Sequence, residues 1–354
     1  MNSFDAPSAY THSPDRDVLA VVSQSGPTIT FFDATTYERL HVLEVPAEPH
    51  ELCFDPDRRL LYCLSTYVSG YYHAHQGRAR QITVIDADTL AIVDTLDTAP
   101  DHAPHGIALD RARARLYVSV EATEDTPGGV IIYDANTRER IGRVTVMADG
   151  PHWFAITPDG RRGYSTNKEA PFVSVLDLER DELAAKIDVP GSEGLDVSPD
   201  GRYVYVAAPK GDFRTPPAAR PGVRVIDVAT GEIVRTLFTE GVVFPVHTTA
   251  NGTVLAGELR MAQGAGGELG AQTDGMLTVF APDTFDVVGQ VQVGHFPLTI
   301  TSSPDGSVGY VSNVMSSTVT VVDLEGMEVL TTLTVDRAGE PGAHGLAYLP
   351  AARN

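Results

Sequence analysis

Lysine is nearly absent from this chain: three residues in 354, Lys168, Lys186 and Lys210, with no basic run anywhere. Asp and Glu outnumber Lys and Arg by 47 to 26, a formal charge of −21. A field of that sign repels phosphate backbones and anionic headgroups, so neither nucleic acid nor a membrane surface is an expected partner. No segment reaches the ~20 apolar residues that a membrane-spanning helix takes. The N-terminal residues, MNSFDAPSAYTHSPDRD, show no basic start ahead of an apolar stretch, so no export signal is read and a cytoplasmic location is expected. Cysteine is scarce. Cys53 and Cys63 flank the turn DPDRR and could meet across a hairpin, but in a reducing compartment buried thiols are expected rather than a bridge. The composition, 42% hydrophobic and 21% charged, excludes wholesale disorder, collagen-like repeats and a disulfide scaffold. Also missing are a Gly-rich phosphate loop, a G-x-S-x-G elbow and a CxxC pair, and no Ser-His-Asp triad can be argued from spacing.

What the sequence does have is a repeat. One unit runs PHGIALDRARARLYVSVE, a variable loop, then GGVIIYDANTRERIGRVTV (104–146); PHWFAITPDGRRGYSTN with PFVSVLDLERDELAAKIDV (151–189) follows. A third, SEGLDVSPDGRYVYVAA with GVRVIDVATGEIVRTLFT (192–239), has the same order, and similar units start near Pro49, Pro245 and Pro297. Each holds four short β-branched and aromatic runs (A to D) bounded by turn chemistry, with no helical period. Pro158-Asp159-Gly160, Pro199-Asp200-Gly201 and Pro304-Asp305-Gly306 turn A into B. Run C ends in Asp33, Asp86, Asp134, Asp177, Asp227 and Asp323, with Ala281 in the remaining unit. Seven B–C–D sets start near residues 17, 60, 115, 162, 202, 253 and 308, and the A strand of the first is supplied by AHGLAYL at 343–349. The predicted fold is an all-β, seven-bladed propeller, a single domain over 1–354, with four antiparallel strands per blade. The C-terminal strand would pair into the first blade, leaving no open sheet edge between chain ends. From His50 to its equivalent His344 there are 294 residues over six intervals, 49 per blade. That exceeds the ~40–45 of a plain propeller repeat, and the surplus lies in B–C loops.

The pattern P-H-G-I-A-x-x-(P-D-G)-x-x-x-Y-V-(S/T)-N…V-x-V-I-D-x-x-T resembles the YVTN-type (YncE-like) seven-bladed propellers over nearly the whole chain. That resemblance implies the fold and leaves the function open, because relatives include lactonases, amine-dehydrogenase heavy chains and proteins of unknown activity.

In a propeller the A strands begin beside the central channel, under the B–C loops. At that point the blades present, in ring order, His344, His50, His105, His152 and Glu193, with Val246 and Leu298 as an apolar wall. One such His is most simply a strand cap. Four converging on an axis suit a divalent transition metal (Fe, Cu, Mn or Zn) shared by neutral imidazoles, with Glu193 as a ligand or as the acceptor that orients one. The arrangement is similar in architecture to the axial four-His iron site of carotenoid-cleaving oxygenases, although this chain lacks their extra length for a dome. His247 falls one residue past the expected position and is expected to face away, and His295 stands at the rim. The HxH pair His73/His75 sits in a loop. A second ring, at B-strand ends, comprises Glu121, Asn167, Lys168, Lys210, Glu258, Arg260 and Asn313. Lys168, Lys210 and Arg260 stand out because cations are so few, and together they suit an anionic substrate group. The loops SGYYHAHQGRARQ (69–81, with Tyr71 and Tyr72), KGDFRTPPAARPG (210–222) and ELRMAQGAGGELGAQTDG (258–275) suit a lid or funnel.

Three functions remain open on these residues. The first is a metal-dependent oxidoreductase or lyase acting on a small anionic or aromatic molecule. Glu193 or Glu121 would move a proton, and Lys168, Lys210, Arg260, Asn167, Asn313, Tyr72 and Glu258 would bind substrate. The second is a metal-free, lactonase-like hydrolase with a His as general base. The third is a non-catalytic binding propeller using loop aromatics such as Tyr71, Tyr72 and Phe213. A ring closed by its own strand needs no second copy, so a monomer is expected, with a dimer through loops the alternative.

Overall fold

A computed structural model describes residues 15–46, 48–70, 75–168, 170–209, 219–262, 272–337 and 342–352. Seven sheets of four antiparallel strands form the predicted ring. Blade 1 is Ala343–Leu349 (A), Val18–Ser23 (B), Thr28–Asp33 (C) and Arg39–Glu44 (D). The closure is explicit in its register, with Leu349 opposite Val18 and Ala347 opposite Ala20. The other A strands are Pro49–Asp55, His102–Asp110, Pro151–Ile156, Leu195–Val197, Val242–Thr248 and Pro297–Ser302, in blades 2 to 7. Among the described residues no helix is long and apolar enough to cross a membrane.

The repeated Asp at the end of strand C works as a turn lock. Asp33 Oδ1 accepts the N–H groups of Thr35 (2.9 Å) and Thr36 (2.8 Å), and Asp86, Asp134, Asp177 and Asp323 do the same in their blades. Four residues past each Asp the backbone is left-handed: Tyr37, Leu90, Arg138, Asp181 and Met327, and in blade 5 Gly231 at φ +73. Blade 6 keeps the turn without the carboxylate, through Phe285 N–H to Ala281 O at 3.1 Å.

The cores lie between neighbouring sheets. Ile29 and Phe31 of blade 1, for example, share a buried cluster with Leu61, Cys63 and Ile85 of blade 2. Cys63 is buried and Cys53 half-buried, both as free thiols. The register sets Cys53 opposite Tyr62 and Leu52 opposite Cys63, so the two cysteines are one position out of register. A one-residue offset sends side chains to opposite faces, so they are not the facing pair that the hairpin spacing allowed.

Blade-to-blade spacing at the channel is set by glycine. A Cβ on Gly106 would stand 2.4 Å from His152 O, and one on Gly345 2.3 Å from His50 O, so at these two junctions the residue after the channel histidine must be bare, whereas Glu51 and Trp153 hold that place after His50 and His152. Ser119 bridges the same junction, accepting Gly106 N–H (2.7 Å) and donating to His152 O (2.5 Å).

Candidate metal centre

The four histidines expected at the A-strand starts are all buried, His105 at 1% exposure, and their rings converge. Ring centroids are 4.0 Å apart for His50 and His344, 4.9 Å for His50 and His105, and 4.6 Å for His105 and His152. Across the arc His50 and His152 are 6.2 Å apart. Potential ligand atoms of His50, His105 and His152 lie within 4.8 Å of one another, as do those of His50, Glu51 and His344.

Behind the imidazoles stand three buried carboxylates. His105 Nε2 meets Glu121 Oε1 at 3.0 Å. Tyr67 O–H donates to the same oxygen at 2.6 Å and lies 3.1 Å from that ring nitrogen. Arg78 Nε donates to Glu121 Oε2 at 2.7 Å. Since Tyr67 and Arg78 can only donate to this acid, the network is satisfied with the His105 proton on Nε2. The Nδ1 lone pair of His105 is then left buried with no hydrogen-bond partner. The other rings point the opposite way. His152 Nδ1 is 3.0 Å from Glu193 Oε2, and Glu51 Oε1 is 3.2 Å from His344 Nδ1 and 3.7 Å from His50 Nδ1, all without the in-line geometry of a hydrogen bond.

Burial decides the charge of the cluster. Desolvation, helped by Lys168, brings His105 down to about 4 against the pull of Glu121. His50 and His152 fall well below the usual imidazole range for the same first reason, with the other imidazoles and Lys168 adding to it. Burial raises the Glu51 carboxyl. Glu121 is held far below the carboxylate range, because the His105, Tyr67 and Arg78 contacts outweigh its desolvation. At neutral pH His50, His105 and His152 therefore present neutral imidazoles, the form that ligates metals.

Lys168 is nearly fully buried and places its charge against His50, His105, His152 and Glu51. Of the expected second ring Glu121 and Lys168 reach the arc, and the other described members are dispersed. Asn167 and Asn313 are fully buried within their own blades, their amides donating to Phe172 O and Ser174 Oγ and to Thr320 Oγ1, respectively. Glu258, also fully buried, accepts from Gly241 N–H (2.9 Å) and Thr278 Oγ1. Arg260 spans Glu240 at 3.1 Å and Glu258 at 3.5 Å. Tyr72 and Lys210 lie outside the described residues, as do Tyr71, His73 and Phe213.

Three contributors were not foreseen. Glu51 had one available signal: it occupies the position that is Gly106, Gly194 and Gly345 in other blades. Tyr67 and Arg78 flank a variable loop and carry no repeat signature. The apolar wall needs a correction too. Val243 pairs with Glu258 as Pro151 pairs with Asn167, which makes Phe244 the equivalent of His152 in place of Val246. A Cβ on Gly194 would meet Phe244 O at 2.4 Å, the same junction that Gly106 makes with His152. Pro245 follows the channel residue, whereas Pro49, Pro104 and Pro151 precede theirs, so the proline spacing is shifted in blade 6. Phe244 packs edge-on against Phe296, centroids 4.8 Å apart.

Comparison with known proteins agrees with the ring. No family model matches the chain. Over 214 residues it is 26% identical to the uncharacterized protein YncE of Salmonella typhi and to that of Salmonella typhimurium, a match covering 59% of this chain and 54% of the relative. The chain thus spans about half the length of the curated relatives it matches. The resemblance to YncE-like propellers holds at that level. Among solved structures, the hydrazine synthase of Kuenenia stuttgartiensis superposes with a TM-score of 0.70 at 18% identity, covering 93% of this chain and 99% of that one. A functionally unknown protein from Desulfotomaculum acetoxidans gives 0.69 at 13% identity, covering 95% and 99%. At such identities the likeness establishes the propeller fold and says nothing of the chemistry.

Proposed function

We propose that His50, His105, His152 and His344 hold a divalent transition metal, Fe, Cu, Mn or Zn, and that the protein is a metal-dependent enzyme of oxidoreductase or lyase type. The observation that supports this best is the buried, unpartnered Nδ1 of His105, whose other nitrogen is committed to Glu121. A buried orphaned lone pair costs free energy unless something takes it, and a cation shared with the neighbouring imidazoles would take it. Each imidazole also has a carboxylate near its other nitrogen, the arrangement that orients metal-bound histidines. When bound, such a metal supplies Lewis acidity or a site for O₂ activation.

The chain's own residues set the substrate class. Lys168 supplies a buried positive charge beside the imidazoles and suits a small carboxylate or other anion. Phe244 and Phe296 suit an apolar or aromatic portion. Glu121, fixed as an anion by three donors, orients His105, which leaves Glu193 beside His152 to hold or move a proton. The buried Lys168 ammonium also favours a second use of the same cleft, metal-free hydrolysis of an anionic substrate, and the experiment separates the two.

The test is elemental analysis of the purified protein, reconstituted with each metal, beside His105→Ala and His41→Ala. His41, stacked on Phe31 in an outer strand, is the control. Loss of affinity by at least the ~10–100-fold typical of weaker, indirect perturbations is expected for His105→Ala alone. Equal metal content in the two variants, or no metal in the reconstituted wild type, would remove the proposal.

A further inference from the structure

A second polar constellation stands on the other side of the ring, in blades 5 to 7, and shares no residue with the histidine arc. His247 lies three residues beyond Phe244, as Asp196 lies three beyond Glu193. The strand registers agree: Asp196 faces Tyr205 and His247 faces Leu255, where blades 2, 3 and 4 set Cys53, Ala108 and Ala155 opposite Tyr62, Tyr117 and Tyr164. Blades 3 and 4 carry alanine at this level and blade 2 a half-buried thiol, whereas two adjacent blades carry an acid and an imidazole. At ~3.3 Å per strand residue this level is about 10 Å along the A strands from the metal centre.

His247 Nδ1 is 3.1 Å from Asp196 Oδ2, and His247 Nε2 is 2.9 Å from Ser302 Oγ. Asp196 is fixed from behind, Oδ2 accepting Thr248 N–H at 2.7 Å and Oδ1 accepting Val197 N–H at 2.8 Å. A carboxylate so held keeps the imidazole proton on Nδ1. Nε2 is then the acceptor for the Ser302 hydroxyl proton, the tautomer that general-base activation of a serine requires. All three residues are half-buried, partly screened from solvent but not sealed from it.

We propose that Ser302, His247 and Asp196 form a metal-independent acyl-transfer site for small carboxylic esters or lactones. Ser302 Oγ bonds to the acyl carbon while its proton passes to His247 Nε2. The carbon–alkoxide bond breaks, and the leaving alcohol takes that proton. Water then attacks the acyl-serine, gives its proton to Nε2, and the carbon–Oγ bond breaks with the proton returned to Ser302. The balance is ester plus water to acid plus alcohol, with Asp196 positioning the imidazole throughout.

The probe is an alkyl fluorophosphonate, which loses fluoride as its phosphorus bonds to the activated oxygen, applied to the full chain with and without chelator. Intact mass and peptide mapping should place one adduct on Ser302, at the same rate in both conditions. His247→Ala should slow its formation by ~10³–10⁴-fold, as should Asp196→Asn, which keeps the shape and loses the tautomer control. A folded wild-type protein without an adduct on Ser302 would overturn the proposal, leaving a strut between blades. So would equal labelling rates in wild type and Asp196→Asn, a variant that keeps the test decisive if His247→Ala does not fold. Chelator-independence separates this outcome from the fate of the metal centre.

Discussion

Arg260 shows how a single contact changes the meaning of a residue. As a scarce cation at a strand end it is expected to bind substrate, and its loss to leave melting near normal. In the structure it lies 3.5 Å from Glu258, which is fully buried, and its own exposure is 27%. Stripping a buried carboxylate of one of its few positive partners costs about 1–3 kcal/mol, here toward the lower end because the guanidinium is partly solvated. Arg260→Ala is therefore expected to lose about 1 kcal/mol in a urea melt, and an unchanged midpoint would return Arg260 to the funnel. The same locality explains what the repeat could reveal at the site. His50, His105, His152 and His344 are legible because each follows a proline or alanine at one fixed register. Glu51 announces itself only as a missing glycine, and Tyr67 and Arg78 are brought to Glu121 by a loop whose length no repeat specifies.

Strands and turns were more legible than the site, since each blade repeats the same few local demands. Asp ends strand C because its carboxylate closes the turn, and PDG supplies a preset φ followed by a residue at home in the left-handed region, as at Gly160, Gly201 and Gly306. The left-handed residue four past the Asp was not legible, because side chains as different as Tyr37, Arg138 and Met327 occupy it. Its cost can be measured where the chain avoids it. Gly231 sits at φ +73 with the nearest atom to a new Cβ 4.0 Å away, so Gly231→Ala meets no clash and carries only the backbone term. A loss of about 1 kcal/mol is expected, since a left-handed L-residue costs roughly 1–2 kcal/mol and the six other blades, Phe285 of blade 6 included, accept a side chain at this place. Calorimetry on the pair would show it; equal stability would mean the turn relaxes out of the left-handed region.

The ring as a whole depends on its last strand, and the metal centre depends on the ring. A chain ending before Ala343 loses the inner strand of blade 1, exposes the unpaired edge of Val18–Ser23 and discards His344. Such a fragment is expected to aggregate or to lack a cooperative melt; a soluble, cooperatively folding one would count against closure as the source of stability. The histidine arc then makes a whole-molecule prediction for chelated protein. His105 is held down to about 4, and His50 and His152 well below the usual range, all chiefly by burial. The unfolded chain takes up protons on them near 6.5 and the folded one does not, so stability is complete above ~6.5 and falls as pH drops from there toward 4. The slope is about 1.4 kcal/mol per pH unit for each histidine kept neutral. Glu51, with its carboxyl raised, opposes this only as it begins to bind a proton in the folded state. A chain of formal charge −21 would by self-repulsion alone gain stability over the same interval, so the direction separates the two effects. Urea melts at pH 7.5, 6.5 and 5.5 should show decreasing stability, with a shallower slope in His105→Gln, which removes one of the suppressed protonations. A flat or rising profile would mean that the arc accepts protons in the folded state, and neutral imidazoles could then no longer be assumed as its resting form.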